Sequence, residues 1–366
     1  MAGSPSPFRL HVPDSAIADL RERLARTRFA DEPPLEPWAT GTGLSYLKEL
    51  VRYWQESFDW RAQEAKLNAF RQYTVSIRGI ELHFIHEPGR GAQPLPLLLS
   101  HGWPGSVWEF RKLIPLLAEN FTVVAPSLPG FTLSFKPGQE RFGVEEIADL
   151  FAELMTGVLG YKRFGAQGGD WGAFISARLG HSCPERLTGI HLNYLPVRRD
   201  AQEPHEHDWN AQMARWAKEE SGYIAIQGTR PQTLAYGLSD SPAGLAAWIA
   251  EKFRGWSDNE ISRDDLLTNI SLYWFTGAIG SSFWPYYARA HRGWPVPDGK
   301  TVGVPLGYAE FPKEILRPPR AVAAKVYTDI RRWTAMKAGG HFAALEQPEA
   351  LAAEVESFFL SLPPGV

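Results

Sequence analysis

The sequence predicts an α/β protein: a mostly parallel sheet covered by helices on both faces and interrupted by a helical insertion. Three observations carry this. From residue 95 to 194, apolar strand-like runs alternate with amphipathic helical runs, the cadence of parallel strands joined by helices. From 196 to 298 that cadence stops, and only helical, aromatic-rich stretches are found. Strand-like segments then return at TVGVPLGYAE and YTDIRRWTAM before a closing helix.

In chain order, residues 1–70 read as helical and irregular. DSAIADLRERLART offers Asp14 as an N-cap, with Ile17, Leu20 and Leu24 on one face. YTVSIRGIELHFIHE alternates and breaks at Arg78-Gly79, predicting a hairpin. PLLLS is an apolar strand, and SVWEFRKLIPLLAE follows it with helical spacing at Phe110, Leu113, Ile114 and Leu117. FTVVAPSLPG reads as a strand into a turn. The stretch 143–160 reads as one amphipathic helix with Ile147, Leu150, Phe151, Leu154 and Val158 aligned. YKRFGAQ is a short strand, WGAFISARLGHS a helix and LTGIHLNY a strand. The last helix, PEALAAEVESFFLS, aligns Leu351, Val355, Phe358 and Phe359. The units this implies are 1–70, a first core part at 71–195, a helical cap at 196–298 and a second core part at 299–366.

Composition narrows the function classes. Hydrophobic content of 44% and charged content of 22% are ordinary globular values. A net charge of -3 argues against a nucleic-acid partner or a polybasic membrane role. A single cysteine, Cys183, excludes an internal disulfide framework and fits a reducing compartment. No apolar run approaches the ~20 residues of a membrane span. These features together point to a soluble, cytoplasmic chain. Fourteen tryptophans suit either large core contacts or an aromatic pocket for an apolar ligand.

GGDWG at 168–172 has the outline of a nucleophile elbow, Gly-x-nucleophile-x-Gly, with Asp170 where an esterase holds serine. It lies between a strand and a helix, as an elbow must; the plain alternative is that Asp170 only N-caps that helix. In the α/β-hydrolase pattern the acid and then the histidine follow in chain order. His341, in AGGHFAALEQPEAL, is the histidine placed after the last strand. Glu314, in FPKEI, is the acid expected to orient it, with Glu310 and Asp329 as rivals on spacing. HGWPGS at 101–106 follows a strand, where that pattern puts one backbone N–H of an oxyanion hole; the residue after the nucleophile supplies the other. The donors would be Trp103 and Trp171, unless HGWPGS is an ordinary Gly/Pro turn.

A carboxylate nucleophile selects its chemistry. Serine attacking a saturated carbon gives an ether that water cannot open. Aspartate gives an alkyl ester that water releases at the aspartyl carbonyl. With an unperturbed pKa of ~3.9 it is already ionised at neutral pH, so the histidine is needed only to activate water. Epoxides and haloalkanes are the obvious substrates. A halide leaves as an anion, whereas an epoxide oxygen needs an acid. Tyrosine, with pKa ~10, can be that acid, and Tyr223, Tyr286 and Tyr287 lie in the insertion.

HGWPGS, GGDWG, ESGYIAIQ, SPAGLAAWIAEKF, DDLLTNISLYW, FPKEI and GGHFAALEQPEAL occur in that order. In them the chain resembles the microsomal-type epoxide hydrolases of the α/β-hydrolase superfamily, over nearly its whole length. The resemblance implies an α/β-hydrolase fold with a helical cap and an N-terminal helical meander. It implies Asp170 as nucleophile, His341 as base and Glu314 as its partner. It also implies Tyr223 and Tyr286 as acids, Tyr287 being the alternative to Tyr286, and a cis Trp103-Pro104 peptide. The expected reaction is epoxide plus water to a vicinal diol through an aspartyl ester, on a small epoxide of apolar or aromatic kind. No metal or organic cofactor is called for. The membrane-anchor helix of mammalian members has no counterpart, which favours a soluble bacterial-type enzyme without a membrane anchor. The rival readings are a haloalkane dehalogenase with the same nucleophile and a catalytically silent binding protein. Oligomeric state stays open, a homodimer included.

Overall fold

A computed structural model describes residues 3–197 and 207–363. Nine strands form one sheet: β1 (Ser6–Phe8), β2 (Gln72–Ile77), β3 (Ile80–Glu87), β4 (Leu95–Ser100), β5 (Phe121–Pro126), β6 (Phe164–Gly168), β7 (Leu187–Leu192), β8 (Leu306–Glu310) and β9 (Ile330–Ala335). Their order is β1-β2-β3-β5-β4-β6-β7-β8-β9. β1, β2 and β3 pair antiparallel, as do β3 and β5, and all pairs from β5 to β9 are parallel. The chain thus forms an α/β-hydrolase fold. The hairpin turn is made by Arg78 and Gly79, both at positive φ as a tight two-residue turn requires.

β5 and β6 are buried along their whole length, which explains their continuous apolar runs. Both faces are covered. Gly165 lies against the Phe359 ring of the helix Pro348–Ser361, while Gly168, on the other pleat face, lies against the backbone of the helix Asp170–Ser182. Strand order reverses where β4 sits between β5 and β6, and such a switch point opens a crevice at the carboxyl ends of the strands. β4 and β6 pair in register up to Ser100 and Gly168, so the HGWPGS loop and the elbow leave the sheet side by side.

Several expectations are corrected. Asp14 is not an N-cap: Pro13 holds that position, and the Asp14 carboxylate accepts from Arg61 instead. The single helix expected after β4 splits into a 3-10 turn, Val107–Arg111, and a short α-helix, Leu113–Leu117. Pro115 has no N–H to give a helix started upstream, so a new helix takes it into its first turn. The expected helix at 143–160 runs as Val144–Glu153 and ends in a π-helical turn, Leu154–Val158. TVGVPLGYAE is strand only from Leu306, Val302 making an isolated bridge to Tyr327. β1 has no alternation to betray it; it is an edge strand of three residues, where proline is tolerated.

Between β7 and β8 the described regular elements are helices, including His207–Glu220, Gly222–Thr229, Pro242–Trp256, Arg263–Thr276 and Trp284–Arg292. Residues 198–206, where the insertion is expected to begin, lie outside the described residues. The N-terminal helices Asp14–Ala25, Leu44–Glu56 and Trp60–Leu67 pack against this insertion. Tyr53 Oη donates to Asp264 at 2.8 Å, and Trp54 Nε1 donates to Ser271 Oγ at 3.1 Å. Among the described residues no helix is long and apolar enough to cross a membrane.

Candidate active site

The elbow is a strained turn. Asp170 opens its helix at φ +47°, a left-handed conformation that a residue with a Cβ seldom adopts. The glycines around it allow the crossing: a Cβ on Gly172 would lie 1.8 Å from the Ser100 carbonyl oxygen. The turn lifts the carboxylate above the sheet edge, beside the neighbouring loop. There Oδ1 accepts the backbone N–H of Trp103 at 2.7 Å, and the backbone N–H of Trp171 also supports the carboxylate. Both expected oxyanion donors therefore already face Asp170. The Trp103-Pro104 peptide is cis.

His341 Nε2 lies 3.6 Å from Asp170 Oδ2, and its Nδ1 is 2.6 Å from Glu314 Oε1, to which it donates. The His341 and Glu314 side chains are buried. The rivals are occupied elsewhere: Glu310 accepts from Trp333 Nε1 at 3.0 Å, and Asp329 pairs with Arg331. Burial pulls the His341 imidazole down, but the Glu314 charge and hydrogen bond, with Asp170 and Glu109 beyond, outweigh it and hold the pKa at about 9. Burial pushes the Asp170 carboxyl up, while the His341 charge and the two backbone N–H groups pull against that rise.

Tyr223 and Tyr286 come together beside Asp170. Their rings lie 5.7 Å apart; Tyr223 stacks on Trp103 at 5.5 Å, and Tyr286 meets Trp171 edge-on at 4.7 Å. Burial, then the Asp170 charge, pushes both phenols well above their usual range, so both are protonated donors at neutral pH. Tyr287 points elsewhere, stacked on Trp284 and His291. Asp170, Tyr223 and Tyr286 line a cavity of about 520 Å³, an ordinary size for a small-molecule site. Trp171, Phe174, Tyr194, Trp216 and Trp294 form its aromatic walls.

Sequence reasoning passed over the residues that hold these groups. Asn269 Nδ2 donates to the Pro104 carbonyl at 2.7 Å, Ser106 Oγ donates to Asn269 Oδ1 at 2.7 Å, and Tyr273 Oη donates to the Gly105 carbonyl at 2.6 Å. Asp265, one turn earlier, accepts from Trp108 Nε1 at 3.0 Å. One insertion helix thus grips the HGWPGS loop, which carries the Trp103 N–H. The signal was present in DDLLTNISLYW: polar residues at 265, 269 and 273 share one face of a helix that is otherwise apolar there. Trp256 likewise holds His341, its carbonyl accepting the His341 backbone N–H at 2.9 Å.

Along most of its length the chain is similar to known proteins. The family described as "Epoxide hydrolase N terminus" matches residues 5–110, and "alpha/beta hydrolase fold" matches 96–256. A protein of Stigmatella aurantiaca (strain DW4/3-1) that carries the epoxide hydrolase name is 42% identical, over 98% of this chain and 85% of its own length. Epoxide hydrolase 1 of Oryctolagus cuniculus is 35% identical, over 96% of this chain and 88% of its own. Among solved structures, the juvenile hormone epoxide hydrolase of Bombyx mori superposes with a TM-score of 0.90 at 29% identity, covering 98% of this chain and 95% of that one.

Proposed function

The chain belongs to the epoxide hydrolase family, and from that premise we propose that it opens its substrate through a covalent ester on Asp170. The enzyme hydrolyses an epoxide with water. In the proposed route the epoxide oxygen accepts hydrogen bonds from Tyr223 and Tyr286 while Asp170 attacks a ring carbon from the opposite side. The C–O bond of the ring breaks, and a phenol gives its proton to the departing alkoxide. The ester that forms is then opened by water at the Asp170 carbonyl. Trp103 and Trp171 N–H hold the oxyanion, an effect worth ~3–4 kcal/mol per donor. Arrangement carries the reading: one carboxylate meets two backbone donors, two phenols and a buried histidine–glutamate pair.

Charge gives the order of events. Before reaction, Asp170 helps keep His341 protonated. Alkylation removes that negative charge, so the imidazole loses its proton more readily and becomes a base when one is needed. The insertion serves as a cap that carries both acids. Its aromatic walls favour an apolar or aryl epoxide.

A second reading has one observation behind it. The indole N–H of Trp103 is buried, with no acceptor among the described residues, whereas that of Trp171 is turned to the Tyr286 phenol; a buried indole N–H without an acceptor suits a leaving halide. One experiment tests both. Styrene oxide and 1-bromobutane are turned over once in H₂¹⁸O, beside Asp170→Asn, and the Asp170 peptide is weighed. Diol with ¹⁸O in that peptide is the expected outcome. Diol without label there would mean that water attacks the epoxide directly. Bromide release without diol would move the chemistry to dehalogenation.

A further inference from the structure

Asp170 stands between two cavities. One is the aromatic chamber that also holds the tyrosines. The other is a small pocket of about 20 Å³ bounded by Ser100, Trp103, Glu109, Gln167, Asp170 and His341. One water needs roughly 10–15 Å³ of such volume and two to four polar partners. The small pocket therefore fits one water and little else. Its walls favour a polar occupant: Ser100 Oγ and Gln167 Oε1 are buried with no partner among the described residues. His341 lines this pocket and not the aromatic one.

Glu109 is the group here that the reaction as described leaves unused. Its carboxyl lies directly against the HGWPGS loop: a Cβ on Gly105 would come 1.3 Å from Glu109 Oε1 with the side chain where it stands. The backbone N–H of Ser106 supports it from the same loop. Burial pushes this carboxyl up to about 8, the His341 charge opposing and the Asp170 charge reinforcing the rise. At neutral pH it is mostly uncharged, so it can stand near Asp170 without repelling it.

We propose that the small pocket seats the hydrolytic water and that Glu109 orients it for attack on the Asp170 ester. The inference rests on the ester route above. Glu109 accepts one hydrogen of the water and His341 Nε2 takes the other as a proton. A lone pair is thereby aimed at Asp170 Cγ from the side away from the substrate. The new O–C bond forms there, the ester C–O bond breaks, and the departing alkoxide takes up the proton from His341. The protons then balance: the one His341 gives up after alkylation restores the phenol spent in ring opening, and the hydrogen left on the new Asp170 carboxyl returns to His341. Glu109 ends as it began, a positioning residue that neither gains nor loses a proton.

The test separates the two half-reactions by rapid quench with styrene oxide, weighing the intact protein for the ester adduct. In Glu109→Leu, alkylation should stay within about threefold of the native rate while ester hydrolysis falls roughly 10- to 100-fold, the scale set by misplacing a reacting group. The adduct should then accumulate in steady turnover. Glu109→Gln, whose amide carbonyl can accept the same hydrogen, should recover most of the hydrolysis rate. Alkylation at the native rate also certifies the fold. If the leucine chain does not fold, Glu109→Ala is put to the same measurement with slowed hydrolysis expected. Unchanged hydrolysis, or both steps falling together, would overturn the role of Glu109. Native protein that gives diol with neither adduct nor ¹⁸O in Asp170 would instead overturn the ester route.

Discussion

Replacing Gly102 by alanine tests whether contact between two loops sets the position of Asp170, the proposed nucleophile. A Cβ at 102 would lie 2.1 Å from Asp170 Oδ1, 2.4 Å from its Cβ and 2.6 Å from its Cγ. Ordinary contact begins near 3.4 Å, so the carboxylate or the loop must move by about 1.3 Å. The carboxylate has little freedom to yield, because its backbone is held at φ +47° and the helix behind it crosses β4 against the Ser100 carbonyl. The loop is held as well, by Asn269 and Tyr273. Overpacking of this kind costs ~1–3 kcal/mol of stability, which a domain of this size survives. Catalysis suffers more, since a displacement of about 1 Å at a reacting group is worth roughly 100-fold. The expected result for Gly102→Ala is therefore a cooperative melt with Tm lowered by a few degrees. Its kcat/KM on styrene oxide should be reduced at least ~100-fold, with ester formation the slowed step. A variant within threefold of native activity would refute the reasoning, because the loop would then have given way without moving the nucleophile.

Two further outcomes are expected. Tyr273→Phe removes a buried hydrogen bond to the Gly105 carbonyl and should cost ~1–3 kcal/mol in denaturant unfolding. Its ester hydrolysis should slow more than its alkylation, since the grip on the loop serves the oxyanion; equal slowing would count against that coupling. Stability should also fall from pH 6.5 to 9. His341 (folded pKa about 9) and Glu109 (about 8) both bind their protons more tightly folded than unfolded. The stability they confer is complete below the unfolded values and is lost as pH rises through the folded ones. The His341 share is on the order of 3 kcal/mol. Urea unfolding of His341→Gln between pH 6 and 9.5 should show a flatter profile than native, and an identical slope would contradict the assignment.

Sequence alone determined most of the frame and named most of the proposed reacting set. Strand and helix periods are local properties of the chain, so the hairpin at Arg78-Gly79, the apolar strands and the closing helix could be read directly. The elbow was legible for a related reason: glycines flanking an aspartate between a strand and a helix restrict the backbone locally. Chain order then pointed to His341, and to Glu314 with Glu310 and Asp329 still as rivals. Local patterns misled where covalent detail intervened, as at Pro115, and where an element was too short to show a period, as at β1.

What only the tertiary structure decided depends on distance in space between residues remote in sequence. The choice between Tyr286 and Tyr287 turned on which side of one helix faces the cavity, and adjacent residues of like chemistry carry no signal for that. Glu310 and Asp329 stood aside because Trp333 and Arg331 engage them. The grip of Asn269 and Tyr273 on the HGWPGS loop joins positions more than 160 apart in the chain. The water-sized pocket behind Asp170 is a volume enclosed by several segments, and no segment by itself encodes it. Sequence fixes which groups are available and which way each local backbone turns; packing of the sheet and insertion fixes the ångström-scale distances on which their chemistry depends.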